Sequence, residues 1–85
     1  MVATLTRAEC REIARILARD IDHTRVYSNT AAYISCESGE LEIKGFYSYG
    51  EYFITEAECI TENNEVIGIE LSDLEAIEQE VNRIS

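Results

Sequence analysis

Glutamates recur at alternate positions through the middle of this chain, and tyrosines cluster beside them. Glu37, Glu40, Glu42, Glu56, Glu58 and Glu70 take spacings that, in strands, share one face of a sheet, with Lys44 as the lone cation among them. Tyr47, Tyr49 and Tyr52, with Ile54 and Tyr33 nearby, extend that face toward one end. Side chains two apart on a strand stand about 6.6 Å apart, and strands about 4.8 Å apart, so carboxylates placed this way form a fixed anionic array. The chemistry of such an array is recognition. Fixed negative charge attracts a basic protein, and tyrosine supplies rigid contact area with a polar tip. Glu42, Tyr47, Tyr49, Tyr52, Glu56 and Glu58 are therefore the candidate partner-binding residues. Solvated sheet faces also carry polar residues as a matter of course, so simple solvation stands beside this reading. A narrower version is imitation of nucleic-acid phosphates by the same carboxylates.

Catalytic chemistry finds little to work with. Plentiful acids are not a catalytic dyad, which needs a cleft that drives two pKa values apart. His23 is the only histidine and sits beside Asp22 at the end of the first helix, where a surface role is expected. No G-x-S-x-G, phosphate-binding glycine loop, H-E-x-x-H or glycine-rich dinucleotide turn occurs, so no enzyme is expected. Cys10, Cys36 and Cys59 form no C-x-x-C pair, and an odd number cannot close a disulfide set, so they read as reduced core residues. One histidine and no close ligand pair give no basis for a metal, and no cofactor is expected. Arg7, Arg11, Arg15 and Arg19 recur every four residues, a helical stripe of like charge that neighbouring acids or solvent must offset.

The chain has 85 residues, of which 46% are hydrophobic and 28% charged, which suits a single α+β domain over residues 1–85. Seventeen acids against seven basic residues leave a net charge of −10. The charge is uneven. Residues 1–25 hold five arginines against four acids, whereas from residue 26 onward thirteen acids face only Lys44 and Arg83. Such a field disfavours direct contact with nucleic acid or anionic lipid and favours a basic protein partner. No apolar run is long enough to span a bilayer, and the first residues lack the pattern of a signal peptide, so a cytoplasmic protein is expected.

The elements that would position these residues follow from spacing. Thr6-Arg7-Ala8-Glu9 is a capping box that opens a helix running to Asp20 or Ile21, with Cys10, Ile13, Ala14, Leu17 and Ile21 inward. Ser72-Asp73-Leu74-Glu75 reads as a second capping box, opening a helix with Leu74, Ile77, Val81 and Ile84 on one stripe. Between them, turns at Ser38-Gly39, Gly50-Glu51 and 62–65 divide four strands, with 22–30 as the irregular segment. The first turn pairs Cys36 with Leu41 and Ile34 with Ile43. A bulge at Gly45 lets Ile43 meet Ala57 and Leu41 meet Cys59, which sends Phe46 and Phe53 inward. Ile67, Ile69 and Leu71 complete the inward face, and the spacing leaves the length of the last loop open, since an even loop would place Ile69 opposite Glu58. The expected fold is a four-stranded antiparallel meander with N- and C-terminal helices, α-β-β-β-β-α.

Gly45-Phe46-Tyr47-Ser48-Tyr49-Gly50-Glu51-Tyr52, the acidic Glu56-Ala57-Glu58 and the closing stretch from Ile69 to Glu78 resemble small acidic uncharacterised proteins of phages and bacterial mobile elements. The likeness covers the C-terminal half, brings no catalytic residues, and implies a bacterial or phage setting and an inhibitor or adaptor role. Together these readings make the chain a small acidic protein-binding module acting through its tyrosine-bearing sheet face. The alternative is a self-assembling structural subunit, a homo-oligomer joined through a strand edge or the C-terminal helix; a DNA-mimic inhibitor of a nucleic-acid-binding protein ranks below both.

Overall fold

Two helices lie side by side over one face of a five-stranded sheet in the computed structural model, which describes residues 1–85. The chain runs β1 (Val2–Ala3), α1 (Arg7–Asp20), β2 (Tyr27–Cys36), β3 (Gly39–Ser48), β4 (Glu51–Ile60), β5 (Val66–Ile69) and α2 (Leu71–Ile84). Strands β2 to β5 form the expected antiparallel meander, and the α+β class holds. The fifth strand is an addition. β1 pairs in parallel with β5, Val2 opposite Gly68 and Ala3 opposite Ile69, and the Ala3 carbonyl accepts the Glu70 N–H at 2.8 Å. Two residues are too few to show a period, which is why pattern reading passes over them. Neither helix is long and apolar enough to cross a membrane.

Helix α1 forms as its sequence directs. The Thr6 hydroxyl accepts the Glu9 N–H at 3.1 Å and the Glu9 carboxylate accepts the Thr6 N–H at 2.8 Å, satisfying two donors that the first turn leaves free. Cys10, Ile13, Ala14 and Leu17 are buried, and β2 takes over at Tyr27, inside the expected 22–30 loop. Helix α2 departs from expectation at its start. The Ser72 box does not form; the helix begins at Leu71, exposed rather than inward, behind an N-cap Glu70 that makes no side-chain bond. Asp73 has a different partner, since its Oδ2 accepts the Leu5 N–H at 2.9 Å and so ties the approach to α1 onto α2.

Two turns sit elsewhere than expected, with different consequences. The first hairpin turns at Glu37-Ser38, pairing Cys36 with Gly39, Ile34 with Leu41 and Ala32 with Ile43. This is a two-residue shift, so every side chain keeps its face. Gly39 belongs inside the strand. Its φ is +144°, and a Cβ there would lie 2.2 Å from the Ile60 carbonyl oxygen.

The second hairpin turns at Tyr49-Gly50, both with positive φ, so Ser48 faces Glu51. The pairs Ile43–Ala57 and Leu41–Cys59 are present as expected, but the extra residue is Thr55 on β4, not Gly45 on β3. Between bulge and turn the faces are therefore reversed. Tyr52 is buried, and Tyr47 and Ile54 pack against the core, whereas Phe53 is exposed and Phe46 lies beside it on the outer face. The cause is room at Gly45: a Cβ there would stand 1.8 Å from the Tyr52 hydroxyl oxygen, so the glycine makes the space that the ring fills. The Tyr52 hydroxyl meets Thr30 Oγ1 at 3.1 Å, and burial pushes its pKa up, against the opposing pull of that hydrogen bond. In the third hairpin Ile60 faces Val66 and Cys59 faces Ile67, the odd register that keeps Ile67 and Ile69 on the helix side.

Candidate functional site: the open sheet face

With both helices on one side, the other face of the sheet is uncovered. Its side chains fall into rows that cross β2, β3 and β4. Ser35, Glu40 and Ile60 make one row; Tyr33, Glu42 and Glu58 the next; then Ala31, Lys44 and Glu56; then Asn29, Phe46 and Phe53; then Tyr27, Ser48 and Glu51. One end of the face is thus acidic and the other aromatic. Lys44 Nζ lies 3.1 Å from Glu42 Oε1 and 3.7 Å from Glu56 Oε2, and its pKa is raised by the Glu42 hydrogen bond first and then by the charges of Glu42 and Glu56. Glu40 and Glu58 have no such partner. At the aromatic end the rings of Tyr27 and Phe46 stand 5.5 Å apart at 32°, with Phe53 directly across from Phe46. Tyr33 is 67% exposed, Tyr27 53% and Phe53 46%.

Of the candidate residues, Glu42, Glu56 and Glu58 do converge, on adjacent rows of β3 and β4. Tyr49 projects from the turn at the edge of the face, 88% exposed. Tyr47 and Tyr52 are corrected: both point to the helix side, Tyr52 wholly buried and Tyr47 edge-on to His23 at 5.3 Å between ring centroids. Their places on the open face are taken by Phe46 and Phe53, with Tyr27 beside them. The signal that would have found these is Tyr49-Gly50 read as a primed two-residue turn, since a glycine at the second central position is what that turn favours.

The strand edges are partly closed by the helices. Asp20 Oδ2 at the end of α1 accepts the Ala31 N–H of β2 at 3.0 Å. Along the stretch of β4 that β5 leaves unpaired, Glu78 Oε2 accepts the Ile54 N–H at 2.9 Å, and Asn82 Oδ1 accepts the Tyr52 N–H at 2.8 Å. Asn82 Nδ2 also donates to the Tyr52 carbonyl at 3.2 Å, so this one amide serves as a strand neighbour.

The helix side has a different character. Arg7, Arg11, Arg15 and Arg19 are exposed and form no ion pair, while Arg83 is held by Glu80 through two bonds of 2.7 and 2.6 Å. Between α1 and α2 runs an open groove of about 820 Å³ lined by Arg7, Arg11 and Arg83 over Leu5, Cys10 and Ala76. Its acids are engaged, Asp73 with Leu5 and Glu80 with Arg83, and the Cys10 thiol pKa is pushed up by burial first, then by the charges of Asp73 and Glu9. Cys36 and Cys59 are free thiols as well, and burial is the main cause of the raised Cys59 pKa.

No family model matches this chain, and no curated protein or solved structure matches it.

Proposed function

We propose that this chain is a small acidic protein-binding module, an adaptor or inhibitor, whose open sheet face holds a basic protein. The observation that carries this reading is the uncovered face itself, which sets the Glu40, Glu42, Glu56 and Glu58 carboxylates beside exposed Tyr27, Tyr33 and Phe53. Rigid strands hold charges and rings in fixed positions, so little freedom is lost when a partner docks. Acidic residues steer a basic protein to the face, and the aromatic end supplies the area on which hot spots are built. A bacterial or phage cytoplasm is the proposed setting. Self-assembly has less support, because two copies of a chain with net charge −10 repel each other and Asp20 already takes the Ala31 amide of the β2 edge.

The test is affinity capture from a bacterial lysate, comparing the native chain with Glu42→Lys/Glu56→Lys/Glu58→Lys and with Phe53→Ala. One basic protein is expected, retained at low salt and released at high salt as charges are screened. The charge-reversed chain should lose it; because the reversal also sets lysines around Lys44 in place of Glu42 and Glu56, its folding is verified by thermal unfolding at high salt, where that repulsion is screened. Equal capture by that variant would refute the proposal, and recovery of this chain alone would favour the assembly reading.

A further inference from the structure

Strand β2 is ten residues long and lies at the edge of the sheet, so one side of its backbone has no neighbouring strand. The N–H of Ala31 points to that side, since it bonds Asp20 rather than β3. Strand geometry repeats every two residues, so the N–H groups of Asn29, Tyr33 and Ser35 point the same way. None of these three has a partner. The end of α1 and the loop after it close the first half of this edge: Asp20 bonds Ala31, and the Asp22 N–H donates to the Ser28 hydroxyl at 3.1 Å. From Tyr33 to Cys36 nothing covers it.

We infer that the Tyr33–Cys36 stretch of β2 takes an extended basic segment of a partner protein as a sixth strand of the sheet. This rests on the proposed reading of a basic protein partner and assigns the manner of its binding. An added strand satisfies the free N–H and C=O groups of Tyr33 and Ser35, the mode in which sheet edges recognise peptides. Acidic side chains surround the seat. Glu40 lies one strand inward directly across from Ser35, Glu42 lies across from Tyr33, and Glu37 stands at the adjoining turn. Lys44 offsets Glu42, whereas Glu40 is free. Ser35 is small, so a lysine or arginine on the added strand can lie over it toward Glu40, across two strand spacings of about 9.6 Å. The exposed Tyr33 ring offers a cation a second face. A second copy of this chain is disfavoured as occupant. Pairing β2 with itself here brings two sets of Glu37 and Glu40 together on chains of net charge −10.

The test uses a blocked octapeptide of alternating lysine and valine, titrated into the native chain and followed by backbone amide NMR and hydrogen exchange. The amides of Tyr33 and Ser35 should shift and exchange at least about tenfold more slowly. Methylating the peptide nitrogens should abolish this, and Ser35→Pro, which removes an edge donor without touching the β2–β3 ladder, should weaken binding about tenfold. The N-methyl peptide tests the same bonds if the proline variant folds poorly. Perturbation confined to Phe53, Glu56 and Glu58, with Tyr33 and Ser35 unchanged, would overturn the edge seat while leaving the binding face standing. Absence of binding by the lysine peptide would overturn both, and concentration-dependent protection of Tyr33 and Ser35 without peptide would assign the edge to a second copy.

Discussion

Replacing Gly45 with alanine isolates the contact on which the inner layer turns. Gly45 has no positive φ, so the backbone itself accepts alanine, and any cost is steric. The added Cβ would lie 1.8 Å from the Tyr52 Oη and 2.2 Å from Cζ, against an ordinary separation of about 3.5 Å. Moving the ring aside within a full core costs about 1–3 kcal/mol. Expelling it costs about 3–5 kcal/mol for the lost burial, and about 1–3 kcal/mol more for the Thr30 hydroxyl left without its partner. The cheaper route prevails, and a required shift well above one ångström puts it at the upper end, about 3 kcal/mol. Stability of about 0.05–0.15 kcal/mol per residue gives this chain roughly 4–13 kcal/mol in all, so the loss is large. In urea, with a slope of about 1 kcal/mol per molar, the midpoint should fall by about 3 M at unchanged slope. The control is a double-mutant cycle with Tyr52→Leu, where the shorter side chain vacates the space and Gly45→Ala should cost less than about 1 kcal/mol. A wild-type cost below 1 kcal/mol, or the same cost in both backgrounds, refutes the packing argument.

Asn82→Ala should cost about 1–2 kcal/mol in urea unfolding, because the edge of β4 at Tyr52 loses both an acceptor and a donor. Glu58→Lys should leave stability unchanged or raise it by a few tenths of a kcal/mol at low salt, since Glu58 faces Glu42 directly, yet weaken capture of the basic partner. Stability should decline in alkali through Tyr52. Its pKa is raised by folding, so above the ordinary tyrosine value of about 10 the unfolded chain releases a proton that the folded chain keeps. Stability is then full below that pH and falls as pH rises through it, a decline that Tyr52→Phe should reduce in pH-dependent thermal melts. At the acid end the Glu80 carboxyl, lowered by the Arg83 hydrogen bond, acts in the opposite sense: its contribution is present above the usual carboxylate range and is lost as pH falls through it. Arg83→Ala should make the acid limb of the same melts less steep.

What could be read in the sequence divides by how local its cause is. The α1 capping box and its inward stripe involve residues three and four apart, and they stand as the spacing implies. The acidic group of Glu42, Glu56 and Glu58 was legible because it depends only on strand parity below the bulge, and the pairs Ile43–Ala57 and Leu41–Cys59 hold that parity. The aromatic half was not. One extra residue assigned to β3 instead of β4 exchanges faces for everything between bulge and turn, so Tyr47 and Tyr52 trade places with Phe46 and Phe53. Deciding between the two requires knowing that Tyr52 needs the space over Gly45, a contact across strands. The start of α2 likewise turns on distant contacts: the helix begins at Leu71, ahead of the Ser72 box, where the Glu70 N–H is taken by the Ala3 carbonyl and Asp73 accepts from Leu5, sixty-eight residues away in the chain.

This trade also bears on what the surface is for. A tyrosine buried against Thr30 beneath the helices and a phenylalanine left open are the reverse of what solubility alone favours, since Phe53 has no polar atom for water to satisfy. Packing explains Tyr52, because the space over Gly45 holds a ring and Thr30 supplies the partner for its hydroxyl. Nothing in the fold requires Phe53, Tyr27 and Tyr33 to be large and aromatic, as their side chains rest on no covering layer. The open face therefore bears aromatic area beyond what the sheet needs, beside carboxylates that Lys44 only partly offsets. If that area serves a partner, serine at Phe53 should raise solubility and weaken partner capture severalfold, at a cost in stability of no more than about 1 kcal/mol for the lost cross-strand pair with Phe46. Undiminished capture by Phe53→Ser would show the aromatic end to be idle and leave recognition to the acidic rows and the β2 edge.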